Sequence, residues 1–253
     1  MTDIDSLKSG GRGAAPELRD DDDYRRAAEE EVHVFRGHVC QTERRGQPRS
    51  PLELMVDATE GFIPLWQRNM TLRWRFQERS LLRFRDPEAE KARVRALFVA
   101  AVAAWGVAAP IRFTEQSHAW DFEVVVRDAD RCGPLGCTLA RAFFPGEGQS
   151  DLAIYPMMFT LDPAEQVETL AHEIGHIFGL RHFFALTDEQ AWPAVMFGAH
   201  EAESIMNYGD QSRLTDLDRA DLGRLYELAW AGRLTDINTT PIRLLKPFSA
   251  NRP

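Results

Sequence analysis

The feature that most constrains this chain is the stretch 172–182, which reads HEIGHIFGLRH. His172 and His176 are four residues apart, so on a helix they lie on one face, one turn apart. Gly179 permits the positive φ that ends a helix, so the chain can bend there and bring His182 back toward the other two. The stretch therefore predicts a helix, a bend and three histidines around one point.

Three histidines in this arrangement favour a catalytic metal site over a structural one. Neutral imidazole binds zinc well, and a three-histidine set leaves a position for water, whereas structural zinc sites are usually closed by four protein ligands. Glu173 lies beside the first histidine, where a carboxylate can reach that water without joining the ligand set. Five specified residue types at fixed offsets arise by chance about once in 10⁵, so surface or core histidines on an amphipathic helix are the weaker interpretation. The motif predicts hydrolysis, with Glu173 as general base and three zinc ligands (His172, His176, His182).

These residues match HExxHxxGxxH, and the chain resembles the metzincin zinc endopeptidases at this point. A second family feature is a methionine turn beneath the metal, and ESIMNYGD at 203–210 resembles it, with Met206 as the methionine. Tyr208 resembles the tyrosine that astacins and serralysins place near their zinc, where it binds the metal or stabilises the oxyanion. The resemblance implies a peptidase that acts on a protein or peptide substrate.

Two further stretches resemble the matrixins within this group. GPLGCTLARAFFPGEGQSDL at 133–152 is similar to the segment with the substrate-binding edge strand, and LTDLDRADLGRLYEL at 214–228 is similar to the C-terminal helix. The resemblance implies an edge strand formed by Thr138, Leu139, Ala140, Arg141 and Ala142. However, Arg141 stands where matrixins have a histidine ligand of a second, structural zinc. We therefore expect one catalytic zinc and no second zinc, and the sequence leaves calcium undetermined.

The remaining pattern predicts an α+β fold with a twisted mixed sheet and three helices, as the metzincin resemblance also implies. A backing helix begins at Asp86 as N-cap and ends at Gly106, the active-site helix spans 163–178 behind Asp162, and a C-terminal helix begins at Thr215. The strand candidates are 71–76, 111–115, 121–128, 136–144 and 151–156.

The organisation along the chain suggests three parts. Residues 1–66 form a polar N-terminal tail and a candidate pro-segment, 67–232 the catalytic domain, and 233–253 a C-terminal extension without a clear period. Cys40 lies in the first part. Matrixin pro-segments silence their zinc with a cysteine thiolate, but the residues around Cys40 lack the matrixin PRCGxPD pattern. A free thiol is therefore the favoured interpretation and a zinc switch the alternative.

Composition excludes several function classes. A net charge of −9 argues against nucleic-acid binding, and no segment has the 18 apolar residues that a membrane span needs. The N-terminus has no apolar signal-peptide core, so the default expectation is a cytoplasmic protein, with signal-independent secretion left open. Cys132 and Cys137 are either a local disulfide or two reduced thiols.

Three functional hypotheses remain. The first is an active zinc endopeptidase, and the second is a catalytically silent binding module with the same fold, against which the intact Glu173 argues. The third is an exported toxin or effector protease that processes itself. The sequence does not predict the oligomeric state, the physiological substrate or the cleavage-site preference.

Overall fold

The structure, a computed structural model, describes residues 33–35, 38–40, 54–58, 61–133, 136–182, 194–197, 204–206 and 212–251, with backbone alone at 33–35, 38–40, 54–55, 194–196 and 251. The helices are α1 (Glu78–Leu81), α2 (Pro87–Trp105), α3 (Pro163–Ile177) and α4 (Asp216–Trp230). The strands are β1 (His33–Phe35), β2 (His38–Cys40), β3 (Leu54–Asp57), β4 (Ile63–Trp66), β5 (Thr71–Phe76), β6 (Arg112–Glu115), β7 (Phe122–Val126), β8 (Arg131–Gly133), β9 (Gly136–Thr138), β10 (Ala140–Arg141), β11 (Ser150–Ile154), β12 (Leu180–Arg181), β13 (Ala194–Phe197), β14 (Asp236–Ile237) and β15 (Thr240–Leu245).

A five-stranded mixed sheet forms the centre of the described fold, in the order β10-β11-β7-β5-β6. Strands β11, β7, β5 and β6 are parallel, and β10 is antiparallel to β11 at one edge. The strand candidate 136–144 is divided into β9 and β10 at Leu139. The carbonyl of Leu139 accepts from Tyr155 N at 2.9 Å. The predicted α+β class with a mixed sheet is confirmed.

The three long helices begin where their capping residues predict. Asp86 accepts from Ala89 N at 2.9 Å at the start of α2, and capping boxes open α3 and α4. Trp105 and Phe178 contact edge to face between α2 and the end of α3, with ring centroids 5.6 Å apart. Since both side chains are fully buried, α2 is the predicted backing helix of α3. Among the described residues, none of the helices is long and apolar enough to cross a membrane.

Two strands on either side of the predicted catalytic domain 67–232, β4 and β15, pair with each other. β4 is parallel to β15, in the register Ile63 with Ile242, and β14 and β15 form an antiparallel pair. The C-terminal segment is also held by the buried carboxylate of Asp121, which accepts from Ser249 N at 2.6 Å and from Ser249 Oγ at 2.9 Å. The residues after 232, for which the sequence indicated no period, are therefore partly strand.

Two small sheets involve the N-terminal residues. β3 lies between β12 and β13 and is antiparallel to both, and the order β1-β2-β9-β8 forms the other sheet. In the second sheet β2 is parallel to β9, with Val39 opposite Thr138. A disulfide joins Cys132 to Cys137 across β8 and β9, which decides between the two alternatives left open by the sequence.

Candidate metal centre

The structure brings together the three histidines of the motif. Nε2 of His172 lies 3.0 Å from Nε2 of His182 and 3.2 Å from Nε2 of His176, and the latter two atoms are 3.1 Å apart. All three side chains are buried. Among the histidine, cysteine and carboxylate side chains of the described residues, these three histidines are the group that could hold a metal ion.

Backbone carbonyls fix the orientation of two of these rings. Nδ1 of His172 lies 2.7 Å from Ile205 O, and Nδ1 of His176 lies 2.8 Å from Leu180 O. Because a carbonyl only accepts, each Nδ1 carries the proton, and Nε2 of the neutral ring presents a lone pair. When both rings are neutral, these two Nε2 atoms cannot share a hydrogen bond at 3.2 Å, and a cation between them would accept both lone pairs.

The donor set fits zinc. Nitrogen donors of a tetrahedral site with Zn–N near 2.0–2.1 Å are about 3.3 Å apart, close to the 3.0–3.2 Å separations of the three Nε2 atoms. Burial, followed by the charges of His182 and His172, lowers the pKa of His176 well below its usual value. The imidazole of His176 is therefore neutral near pH 7, the state that binds a metal.

A methionine packs directly against the helix between its two histidines. Met206 is fully buried, and a Cβ added to Gly175 would lie 2.7 Å from Met206 Sδ and 3.4 Å from the Trp105 ring. The glycine thus lets the methionine side chain approach α3 to a distance that any larger residue would prevent.

The residues around Met206 are held by the first turn of α4. The buried carboxylate of Asp218 accepts from Ser204 Oγ at 2.5 Å, from Ile205 N at 3.2 Å and from Thr215 N at 2.9 Å. Since Ile205 O is the partner of His172 Nδ1, Asp218 supports the orientation of a metal-site histidine. The sequence predicted the start of this helix at Thr215 and gave no indication of the contacts of Asp218 with Ser204 and Ile205.

The bend after α3 has partners from both ends of the fold. Gly179 has φ +89° and its carbonyl accepts from Asp57 N at 3.1 Å. Trp66 Nε1 donates to Ile177 O at 2.7 Å, and Tyr226 Oη donates to Phe178 O at 3.0 Å. The carbonyls that α3 leaves unpaired at its end are thereby satisfied. No local sequence signal indicated Trp66 or Tyr226, because the partners are far apart in the chain.

The other predicted site residues have different outcomes. Glu173 is 1% exposed on α3, next to His172. Tyr208 lies outside the described residues, as do Phe183, Phe184 and Trp192, which the sequence offers either as subsite lining or as core. The backbone of Cys40 ends β2, and its side chain lies outside the described residues.

The predicted edge segment is mostly buried. Thr138, Leu139, Ala140 and Ala142 are each below 9% exposed. Arg141 is half-buried, and its Nη2 lies 2.8 Å from Asp151 Oδ1 on the neighbouring strand β11. An ion pair thus links β10 to β11 at the position where the sequence argued against a second zinc.

Comparisons with known proteins give a distant likeness. No family model matches the chain, and no curated protein matches it. One solved structure of myroilysin is 14% identical to this chain, with a TM-score of 0.46, and the match covers 68% of this chain and 98% of that one. A second structure of myroilysin is 13% identical, with a TM-score of 0.43, and the match covers 77% of this chain and 93% of that one. The third is high choriolytic enzyme 1, a hatching enzyme zinc-protease from Oryzias latipes (medaka fish), at 14% identity and a TM-score of 0.39, covering 64% of this chain and 94% of its own.

A likeness at this level does not establish a function, so the function has to be argued from the residues of the site. The described chain is an α+β protein with a buried centre of three histidines, and this centre suits one zinc ion.

Proposed function

We propose that this protein is a zinc-dependent endopeptidase of the metzincin type, with one zinc ion held by His172, His176 and His182. The observation that carries the proposal is the buried triad itself. Two of its imidazoles donate through Nδ1 to backbone carbonyls, so their Nε2 lone pairs point toward one another. Glu173 follows His172 on the same helix and is buried, which supports its assignment as the general base.

A zinc ion bound there supplies Lewis acidity, which polarises a peptide carbonyl and lowers the pKa of water to about 7. Glu173 takes a proton from the attacking water and passes it to the leaving amine. Tyr208 donates a hydrogen bond to the tetrahedral oxyanion. Met206 packs against α3 at Gly175 and is the methionine of the proposed methionine turn.

The substrate adds as an extended strand along 138–142, through backbone hydrogen bonds. The position of β10 at the edge of the five-stranded sheet supports this assignment. The Arg141–Asp151 ion pair is consistent with a single zinc, because the position of the matrixin histidine ligand carries a guanidinium group, which does not bind a metal.

Metal analysis paired with casein cleavage tests the proposal. Wild type, Glu173→Ala and the control Glu168→Ala, a half-buried glutamate five residues earlier on α3, should each hold one zinc. Only Glu173→Ala should lose cleavage, by at least about 100-fold, because general base catalysis contributes about 10²–10⁴. A chelator should stop the wild type.

Two results would contradict the proposal. Cleavage at the wild-type rate by Glu173→Ala would remove the general base from the mechanism. A wild type that holds zinc and cleaves no protein would instead identify a binding module with this fold.

A further inference from the structure

The strand that carries the chain from the bend to His182 is held by a strand from far earlier in the sequence. β12 pairs with β3 in the register Leu180 with Val56. The backbone N–H of Asp57 donates to Gly179 O at 3.1 Å, directly at the bend. β3 therefore contacts both the turn and the two residues between the turn and the third histidine.

A buried ion pair reinforces this contact. Arg181 Nη1 lies 3.7 Å from Asp57 Oδ1, and the side chains are 0% and 8% exposed. Arg181 is the residue before His182. Burying two charges costs desolvation free energy that their attraction often fails to offset, so such a pair is weak evidence for added stability. Its place beside a metal-site histidine points to another role.

The charge balance also favours a role at the metal centre. A buried guanidinium group without its counter-charge would repel a divalent cation held by the next residue, because charges interact strongly in a poorly solvated interior. The carboxylate of Asp57 supplies a counter-charge to that guanidinium group and joins Arg181 to β3.

We propose that Asp57 is a positioning residue of the metal centre, which acts through Arg181 to fix the strand that delivers His182 to the zinc site. This inference rests on the proposed zinc centre. It places a functional residue in the segment 1–66, which the sequence suggested as tail and pro-segment.

The test measures the zinc dissociation constant by competition with a chromophoric chelator, for wild type, Asp57→Asn and Asp121→Asn. Asp121 is a matched control, since it is an equally buried carboxylate whose bonds go to Arg73 and Ser249 instead of the metal-site strands. Asp57→Asn should weaken zinc binding at least about 10-fold, the usual lower bound when an outer partner of a metal ligand is lost. Asp121→Asn should lower the unfolding midpoint and keep the zinc dissociation constant within about twofold of wild type.

A second variant keeps the test decisive if Asp57→Asn does not fold. Asp57→Leu combined with Arg181→Met removes both charges and keeps apolar volume, a replacement that buried ion pairs often tolerate. It should also bind zinc at least about 10-fold more weakly. Wild-type affinity in either Asp57 variant, or an equal loss in Asp121→Asn, would overturn the inference.

The readout also separates this inference from the proposed activity. Zinc binding is measured without cleavage, so a wild type that binds zinc and cleaves nothing would refute the peptidase while the Asp57 comparison still holds. A wild type without zinc affinity would refute the centre and both proposals.

Discussion

Two glycines of the motif stretch serve different physical purposes. Gly179 adopts φ +89°, which strains any residue with a side chain, and a Cβ there would also lie close to Pro64 O, at 3.1 Å. Gly175 is an ordinary helical residue whose missing Cβ makes room for Met206 Sδ. Gly179 thus shapes the bend of the chain, and Gly175 permits Met206 to pack against α3.

Gly175→Ala should destabilise the protein although alanine is the better helix former. The new Cβ would lie 2.7 Å from Met206 Sδ, so this buried side chain would have to shift, whereas the Trp105 ring at 3.4 Å would be in ordinary contact. Overpacking of a core costs about 1–3 kcal/mol, which outweighs the gain of up to about 1 kcal/mol in helix propensity. Gly223→Ala on α4 meets nothing within 4 Å and should raise the free energy of unfolding by about 0.5–1 kcal/mol. Urea unfolding of both variants checks this, and shifts of the same sign would contradict it.

Gly179→Ala should lose both stability and zinc affinity. A left-handed alanine costs about 1–2 kcal/mol, and relief of that strain would move His182 away from the other ligands. Gly61→Ala is the control, because Gly61 has φ +77° with nothing within 4 Å. It should lose similar stability in urea unfolding and keep its zinc dissociation constant in chelator competition. Equal zinc affinity in the two variants would mean that the bend does not place His182.

At the scale of elements, α4 and the residues before it act as one support for the metal centre. Asp218→Ala would leave the donors of Ser204, Ile205 and Thr215 without their acceptor. Hydrogen bonds to charged groups contribute about 1.5–3 kcal/mol each, so the free energy of unfolding should fall by at least about 2 kcal/mol. Zinc affinity should also fall, because Ile205 O orients His172.

Asp86→Ala provides the comparison for this element. Asp86 is an exposed cap of α2 with one bond, to Ala89 N, and its loss should cost about 1 kcal/mol with zinc affinity intact. Chelator competition on both alanine variants distinguishes them, and unchanged zinc binding in Asp218→Ala would reduce its role to helix capping.

Elements with local signals could be predicted, and elements that depend on distant partners could not. Asp86, Asp162 and Thr215 cap the helices that the sequence placed behind them, because a cap acts within four residues. The strand of residues 240–245 escaped prediction, since four of its six residues pair with β4, more than 170 residues earlier, and only the first two pair locally with β14.

The same distinction holds for the site in the whole molecule. The meeting of His172, His176 and His182 followed from helix spacing and one glycine. Their supports did not, because Asp57 and Asp218 lie 36 or more residues from the nearest motif histidine in the sequence and become neighbours only through the folded chain. A sequence motif thus indicates the ligands of such a centre and leaves out the structure that holds them.

Truncation separates two functions within the N-terminal segment. A chain that starts at residue 41 lacks β2, whose Val39 pairs with Thr138 at the start of the proposed substrate edge, and it retains β3. It should keep zinc affinity and cleave peptides faster, because the edge becomes more accessible. A chain that starts at residue 61 lacks β3 and should bind zinc at least about 10-fold more weakly. Chelator competition and peptide cleavage check both, and equal behaviour of the two chains would contradict this division.

Two tryptophans are hydrogen-bonded to α3 and make its environment accessible to fluorescence. The buried indoles of Trp66 and Trp105 donate to Ile177 O and Ala171 O, one near each side of the histidine pair. Indole emission responds to hydrogen bonding and solvent, so any movement of α3 changes the light that these residues emit. If metal uptake moves α3, the emission of these two residues, among the six tryptophans of the chain, should change, and intrinsic fluorescence would then follow the metal without a label.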